Sequence, residues 1–406
     1  MTTSLPRVLV TVFLLLSIAL AAAVALKPDR GLLDFGAFYM AGVAQQEGLD
    51  PYGVYPDLAA ETGEDFGHTD GRGHSPNLNP PISLYPFRLL ANADPDDVRT
   101  GLNVLSAVVF AACAGAMLRA YPQHRNVPGV LWIAAFGAFW YTLWLGQVYV
   151  LLFALGLGAW FLIQRGTHPL VAGLLIGVLV AVKPHFVIWP AFLLVAGHPR
   201  IALAGFGAAA AISAVPLILE GPGIYQQWLE AAQAYPRIGL ASNASIIGQA
   251  ERFGVIEAGY VLSAVLIAVA AFVMWRSRAT PVRASEWGIV VALLATPIAW
   301  VGYGLLAMPV LLTRRWEVLE WAAAAGMTGL WFALGRGEPV MAAWFVLLYL
   351  LVKDQAVHRE LSRSVEEART LSATRDSAAA RLEPHLADAQ RWPTRITARL
   401  QQRPPG

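Results

Sequence analysis

Long apolar segments, separated by short polar connections, run through most of the 406-residue chain. They lie near residues 8–26, 100–118, 128–144, 147–164, 169–183, 185–197, 201–219, 256–275, 287–300, 301–313, 317–334 and 339–352. Several are shorter than the roughly 20 residues that a helix needs to cross a bilayer, so these are expected to be tilted, re-entrant or joined to a neighbour. The pattern predicts an all-α, polytopic transmembrane helical bundle of about 10–13 spans. We interpret the first segment as a retained helix and not as a signal peptide, because a further string of spans follows it.

The positions of lysine and arginine predict how these spans are oriented. One set of connections carries Arg7, Arg119, Arg125, Arg165, Arg200, Arg276, Arg278, Arg283, Arg314, Arg315 and Lys353. By the positive-inside rule, these connections face the cytoplasm. The long segments 27–98 and 220–255 belong to the other set and are expected on the extracytoplasmic side. Within the first of them, residues 35–47 and 82–91 are predicted as short helices in the membrane interface.

The chain is expected to have two parts. Residues 1–353 form the transmembrane domain, and residues 354–406 form a charged tail that is nearly free of aromatic residues. Residues 356–382 are predicted as a helix with mixed Arg and Glu. A solvated cytoplasmic helix or coiled coil is the favoured interpretation of this tail.

Composition agrees with a membrane protein and excludes several classes. Hydrophobic residues make up 57% of the chain and charged residues 14%, against about 25% charged in a typical soluble protein. The formal net charge is +2, so the electrostatic footprint of a nucleic-acid-binding protein is absent. Cys113 is the single cysteine, which rules out an intramolecular disulfide. The sequence has no Walker A loop, dinucleotide fingerprint or zinc-spaced cluster, so a nucleotide sugar bound in the cytoplasm is not expected.

Two ionisable residues lie in or beside apolar segments. Asp34 follows the first segment in an apolar and aromatic setting, where an ionisable group is costly and marks a candidate functional site. It is also a candidate helix cap, since Asp is a preferred N-cap residue. Lys183 is a lone lysine in the apolar run 174–189, and it is expected either to contact an anionic group or to snorkel to the outer interface.

One connection is dense in possible metal ligands: Glu61, Glu64, Asp65, His68, Asp70 and His74. Carboxylates and imidazoles can bind a divalent cation. A solvated glycine-rich loop is the simpler interpretation, and we predict no required metal ion.

The stretch Asp34-Phe35-Gly36-Ala37-Phe38-Tyr39-Met40-Ala41-Gly42, followed by Gly48-Leu49-Asp50-Pro51-Tyr52, resembles the signature of glycosyltransferase family 87. Later blocks of the family are resembled in the same order by Asn79-Pro80-Pro81-Ile82, Gly146-Gln147, Lys183-Pro184, Asn243-Ala244-Ser245-Ile246-Ile247-Gly248 and Thr296-Pro297-Ile298-Ala299-Trp300. The resemblance covers residues 34–310. It departs from the family after Trp300, where many members carry histidines and this chain has Val301-Gly302-Tyr303.

The resemblance implies a GT-C-type fold and an enzyme that transfers a single sugar, with mannose expected, from a polyprenyl-phosphate donor. The acceptor is expected to be a glycolipid or glycan. An inverting displacement outside the cytoplasm is implied, with Asp34 as the general base. Lys183 is the best candidate for the donor phosphate, because negative charge grows there. Further predicted donor or substrate contacts are His185, Tyr39, Asn243, Ser245, Trp300 and Tyr303, although Asn243-Ala244-Ser245 is also a glycosylation sequon.

No cofactor is expected, since the lipid-phosphate sugar is a co-substrate. The expected partners are that donor, the acceptor and membrane lipids, without nucleic acid. The protein is expected in the inner (plasma) membrane of a bacterial cell, with the active site extracytoplasmic and the C-terminal tail cytoplasmic. Three alternatives stay open: a polyprenyl-phosphate-arabinofuranose transferase, a polytopic lipid or glycan transporter, and a polymerase or ligase of lipid-linked glycans. The large outer segments and the lack of a clear internal repeat favour the enzyme over the transporter.

Overall fold

The regular structure of the part described, residues 4–27, 31–61, 76–234 and 239–356 of a computed structural model, is helical and contains no β-strand. The α-helices are α1 (Ser4–Ala25), α2 (Leu33–Gln46), α3 (Pro56–Glu61), α4 (Leu84–Arg88), α5 (Pro95–Ala120), α6 (Val127–Ala134), α7 (Gly137–Leu145), α8 (Tyr149–Gln164), α9 (Pro169–Val182) and α10 (Ile188–Val195). They continue with α11 (Pro199–Glu220), α12 (Gly223–Gln233), α13 (Ile246–Arg252), α14 (Ile256–Ser277), α15 (Pro281–Ala295), α16 (Ala307–Leu312), α17 (Val318–Gly326), α18 (Gly329–Ala333) and α19 (Glu338–Ala356). Short 3₁₀ turns lie at Pro81–Ser83, Pro122–His124, Pro184–Val187 and Val301–Leu306.

Five helices in the described ranges are long and apolar enough to cross a membrane: α1, α5, α11, α14 and α19. The remaining predicted apolar segments coincide with shorter helices or with pairs of consecutive helices. The structure therefore confirms the predicted all-α, polytopic membrane protein.

Two of the predicted spans are broken near their middle, between α6 and α7 and between α17 and α18. The two breaks lie against each other. The Gly137 N–H donates to the Met327 carbonyl (2.9 Å), and the Gly329 N–H donates to the Ala135 carbonyl (2.6 Å). These reciprocal hydrogen bonds satisfy backbone groups that a break inside a membrane would otherwise leave unpaired.

Helix α2, which carries Asp34, coincides with the short helix predicted for residues 35–47, and most of its residues are buried within the protein. The position of α2 in the membrane interface stays a prediction. Its aromatic residues pack on α4, with the rings of Phe38 and Phe87 stacked at 4.9 Å between centroids. Phe35 and Tyr39 belong to the same cluster. Because this packing holds α2 in place, the segment after α1 supplies a fixed wall at Asp34.

The chain divides into two units, Met1–Leu348 and Tyr349–Gly406. Of the second unit the structure describes residues 349–356, which are helical. The predicted tail helix 356–382 and most of the predicted tail 354–406 lie outside the described residues.

Candidate active site

A cavity of about 950 Å³ lies within the first unit. This volume is typical of small-molecule sites, which run from about 300 to 1,000 Å³. Several of the predicted site residues line it: Asp34, Lys183, His185, Trp300 and Tyr303. The structure therefore brings together side chains that are up to 269 positions apart in sequence, from Asp34 to Tyr303.

Asp34 lies in the first turn of α2, and the cap position of that helix is Leu32. Its carboxylate therefore benefits from the positive end of the helix dipole without being the cap itself. The Gln147 side-chain amide donates a hydrogen bond to Asp34 Oδ2 at 2.7 Å. The carboxylate is thus held at the cavity wall by a neighbouring segment.

Arg99 stabilises this arrangement from helix α5. Its guanidinium donates to the backbone carbonyl of Gly31, just before α2, and to that of Trp144 (3.0 Å), near the end of α7. Arg99 is 5% exposed, and a buried arginine in a membrane helix is usually functional or paired. The sequence carried this signal, a lone arginine beside an apolar run, but the sequence analysis did not use it.

Lys183 follows the last residue of α9, where Pro184 prevents the helix from continuing. It is 6% exposed, so it does not snorkel to solvent. Its ammonium group donates to Asn79 Oδ1 and lies 5.0 Å and 5.2 Å from the ring centroids of Tyr149 and Tyr303. Asp34 adds a favourable electrostatic interaction. Lys183 is consequently a buried cation in a polar and aromatic cage.

Tyr303 stacks on His185, with 4.7 Å between ring centroids and 29° between ring planes. It also meets Tyr149 edge-on at 4.9 Å. Gly302 makes room for this contact, because a Cβ there would lie 2.2 Å from a ring carbon of Tyr149. The His185 Nε2 atom is buried and makes no hydrogen bond to any described residue. The Val301-Gly302-Tyr303 stretch thus builds an aromatic wall with one imidazole nitrogen unpaired.

Asn243 and Ser245 lie behind the cavity and do not line it. The Asn243 amide donates to the Pro297 carbonyl and accepts from the Ala299 N–H, both at 2.9 Å. Ser245 caps α13 by accepting from the Gly248 N–H at 2.9 Å. Both residues therefore support the loop that carries Trp300, and direct contact with substrate stays a prediction. The Asn243 side chain is fully buried, so the sequon is inaccessible in the folded protein.

Tyr39 also lies outside the cavity lining. Its hydroxyl donates to the carbonyls of Ala91 (3.1 Å) and Ala93 (2.9 Å). Burial raises the pKa of the Tyr39 phenol, and Asp94 raises it further, so the hydroxyl stays a donor. The geometry gives Tyr39 a part in joining α2 to the segment after α4, and substrate contact stays a prediction.

Some of the side chains that line the cavity are exposed. Leu229, Leu240 and Tyr260 are 48%, 42% and 45% exposed, and Arg336 is exposed as well. Within the described part of the chain, Arg336 makes no ion pair. We define these residues as the cavity rim. The sequence analysis missed Arg336, which lies beyond the stretch that resembles a known family.

No grouping of side chains that holds metal ions is present among the described residues. Among the residues that the structure describes, no three or more His, Cys, Asp and Glu side chains are grouped so as to hold a metal ion. The connection with Glu64, Asp65, His68, Asp70 and His74 lies outside those residues. The expectation of no required metal therefore stays a prediction.

The fold and the cavity define a polytopic membrane protein with a substrate-sized site whose lining includes both a carboxylate and an amine. The sequence model of glycosyltransferase family 87 matches residues 77–297, which is more than half of the chain. The chain therefore belongs to glycosyltransferase family 87 and is a membrane glycosyltransferase, which confirms the resemblance. No curated protein and no solved structure matches it. The matched range includes Lys183 and His185 but not Asp34.

Proposed function

We propose that this glycosyltransferase moves one sugar, mannose, from a polyprenyl-phosphate donor to a hydroxyl of a glycolipid or glycan acceptor. The reaction is a single displacement that inverts the anomeric carbon. The observation that carries the proposal is that the Asp34 carboxylate and the Lys183 ammonium group line one cavity and interact electrostatically. A base for the acceptor hydroxyl and a cation for the leaving phosphate are the two groups that the reaction needs.

In the proposed step, an acceptor hydroxyl oxygen forms a bond to the anomeric carbon while the bond from that carbon to the phosphate oxygen breaks. The electron pair of the broken bond leaves with the polyprenyl phosphate. The hydroxyl proton passes to Asp34 and is later released to water. General-base catalysis of this kind contributes about 10²–10⁴-fold in rate.

Lys183 and His185 are the proposed contacts of the leaving phosphate. An ammonium group has three N–H donors, and the hydrogen bond to Asn79 occupies one of them. The unpaired Nε2 of His185 lies at the same wall. Donors in a site that excludes most water stabilise developing negative charge far better than donors in bulk water.

The cavity rim supports a lipid-linked donor. Tyr260 lies in the second turn of α14, a candidate membrane span whose surface is mostly exposed. Leu229 and Leu240 add apolar surface, and Arg336 adds a positive charge. An apolar opening with a cation suits the isoprenoid chain and the phosphate of such a donor better than it suits a water-soluble nucleotide sugar.

The proposed location is the inner (plasma) membrane, and the ends of the five long helices support an extracytoplasmic site. One end of each helix carries or adjoins a basic residue, namely Arg7, Arg119, Arg200, Arg276 or Lys353, while Lys27, Arg99 and Arg336 lie at or near the opposite ends of α1, α5 and α19. By the positive-inside rule the ends that carry or adjoin the first five residues are proposed to be cytoplasmic. Asp34 follows the opposite end of α1, and Arg336 precedes the opposite end of α19. The C-terminal tail would then be cytoplasmic.

The test is sugar transfer by the full-length protein in nanodiscs. Labelled polyprenyl-phosphate mannose and a lipid extract from the producing cells are the substrates. We expect labelled lipid product with the wild type and a loss of at least about 100-fold with Asp34→Asn. Asp57→Asn is the matched control, because Asp57 is also in the first turn of a helix but is exposed and away from the cavity. Equal transfer by wild type and Asp34→Asn would exclude Asp34 as the base.

A parallel reaction with polyprenyl-phosphate arabinofuranose separates the first alternative donor. If that donor alone gives product, the transferred sugar is arabinofuranose and not mannose, and the rest of the proposal stands. Membership of family 87 favours transfer over the transporter alternative. If the protein in proteoliposomes moves intact donor across the membrane and forms no product, transport would be favoured instead.

A further inference from the structure

Gln147 uses the NH₂ group of its side-chain amide for a hydrogen bond, while the amide oxygen has no partner among the described residues. A carboxylate can only accept hydrogen bonds, so the contact with Asp34 must come from the NH₂ group of Gln147. The amide orientation is thereby determined, and Oε1 points away from that contact. Oε1 is buried and accepts no hydrogen bond from any residue described here. Gln147 is 5% exposed and lines the cavity.

The chain places Gln147 rigidly. Gly146 ends α7 with a φ of +68°, a conformation that glycine adopts without strain. A Cβ at Gly146 would lie 2.7 Å from Phe35 Cβ, so this turn packs directly against the residue after Asp34. Arg99 binds the backbone on both sides of the contact, at Gly31 and Trp144. The segments that carry Asp34 and Gln147 are therefore tied together independently of the hydrogen bond between them.

A buried amide oxygen without a partner is costly, typically comparable to a lost hydrogen bond. Such an atom in a native structure calls for an explanation, and a catalytic role is one of those that the field recognises. The attacking hydroxyl must hydrogen-bond to Asp34 in the proposed reaction, and Gln147 is bonded to the same carboxylate. Gln147 lines the cavity beside this carboxylate, so a hydroxyl next to the attacking one is a candidate donor for Oε1.

We propose that Gln147 is a positioning residue for Asp34 and that its Oε1 accepts a hydrogen bond from the acceptor hydroxyl adjacent to the one that attacks. This inference rests on the proposed function for its substrate part only. The positioning part concerns two side chains of the protein itself. The acceptor class that follows is a glycan or glycolipid with two neighbouring hydroxyl groups at the reacting end.

The groups that surround Asp34 set the expected pH response. Among the described residues, Tyr149 from α8 and Lys183 after α9 interact electrostatically with Asp34. Tyr141, His185 and Tyr303 line the same cavity, and Arg99 from α5 binds the backbone just before α2. All of them stay in place when Gln147 alone is changed. A hydrogen bond to the ionised form of a carboxylate favours that form, so removing the Gln147 donor should make Asp34 titrate at higher pH.

The positioning part is tested without substrate, by infrared titration of the full-length protein in nanodiscs. The carbonyl band of protonated Asp34 is identified by its absence in Asp34→Asn. We expect Gln147→Met to move the pH at which this band disappears upward by about one to two units. Gln147→Glu has the same shape but cannot donate a hydrogen bond when ionised, so it should move the pH at which the band disappears further upward. This variant replaces the Met variant in the test if the Met variant does not fold. Gln164→Met, a matched change at the other end of α8, should not move it.

The substrate part is tested by transfer kinetics with polyprenyl-phosphate mannose and the lipid extract. We expect Gln147→Met to raise the KM for acceptor by about tenfold and to lower kcat, with the KM for donor unchanged. An unmoved infrared band overturns the positioning role, and an unchanged acceptor KM overturns the hydroxyl contact. If the wild type transfers no sugar while the band still moves, the proposed function fails and the positioning role stands.

Discussion

Replacing Lys183 with methionine separates a functional role of this buried cation from a structural one. The change keeps most of the side-chain volume and removes the ammonium group. Two sets of contacts are lost: the hydrogen bond to Asn79 and the placement over the rings of Tyr149 and Tyr303, at 5.0 Å and 5.2 Å. The electrostatic interaction with Asp34 is lost as well.

The expected stability change is small because the lost terms oppose each other. A hydrogen bond with a charged group contributes about 1.5–3 kcal/mol, and each desolvated cation–π contact contributes up to about 2 kcal/mol. Burying the ammonium group costs several kcal/mol, which Lys183→Met removes. Replacement of buried ions by apolar residues is often neutral or stabilising. We therefore expect the free energy of unfolding to change by less than about 2 kcal/mol, in either direction.

The expected loss of activity is large. Removing one preorganised group that stabilises negative charge in a transition state costs about 10²–10³-fold in kcat, or about 2.7–4 kcal/mol. The ring cage and Asn79 hold Lys183 in place before substrate binds, so the full effect should appear in transfer and not in stability. Lys183→Met is consequently predicted to be stable and almost inactive.

Two measurements decide the matter: initial transfer rates with polyprenyl-phosphate mannose, and the apparent melting temperature of each variant in the same nanodiscs. Lys27→Met is the matched control, because Lys27 also follows an apolar helix but is exposed and outside the cavity lining. It should match the wild type in both measurements. A Lys183→Met protein that melts far below the wild type, yet transfers sugar normally per folded molecule, would refute the reasoning.

Three further predictions follow from other contacts. Arg336→Gln should raise the KM for donor several-fold with little change in kcat, as measured by donor titration. Asn243→Ala should lower the apparent melting temperature and kcat together. The Pro297 carbonyl and the Ala299 N–H would lose their hydrogen bonds to Asn243, which costs about 1–3 kcal/mol of stability for a buried group. Burial lowers the pKa of His124 below 6.5, although the carbonyls of Leu312 and Arg314 oppose this effect. The unfolded chain then binds a proton first, so melting temperature should fall as pH drops below about 6.5 and fall less in His124→Gln.

The location of Asp34 and Lys183 could be predicted because charge in an apolar setting is conspicuous in a sequence. An ionisable residue that survives beside a membrane segment needs either a partner or a function. The same reasoning applied to Arg99, but an arginine that precedes a span is easily taken as an interfacial anchor. Only the structure reveals that its guanidinium binds two carbonyls inside the protein.

Gln147 could not be predicted as a site residue from its own character. Glutamine is uncharged, so its burial produces no conspicuous signal in an apolar segment. Tyr39 shows the opposite error, since aromatic residues at the interface suit lipid, sugar and backbone partners equally. Which partner each side chain finds depends on the turn at Gly146 and on the segment after α4, and both are tertiary features.

The helix breaks were equally hidden. The apolar pattern continues through residues 135–137 and 327–329 without a proline or a charge. Helix propensity there gives way to a tertiary interaction, because each break supplies the hydrogen bonds that the other lacks. A pattern that is read one segment at a time cannot reveal a break whose partner is 192 residues away, as Ala135 and Met327 are.

The short apolar helices explain why the cavity exists where it does. Helix α9 has 14 residues and is therefore about 21 Å long, against about 30 Å of hydrocarbon. Helices α8 and α15, with 16 and 15 residues, are similarly short. Each of these three helices has a basic residue near one end and a cavity-lining residue beyond the other end. The cavity-lining residues are Gln147 before α8, Lys183 after α9 and Thr296 after α15. Non-helical backbone at membrane depth is tolerated only where protein buries it or where it lines a cavity. The early ends of these three helices therefore leave non-helical backbone at the cavity, and that backbone carries Gln147, Lys183 and Thr296 into its lining.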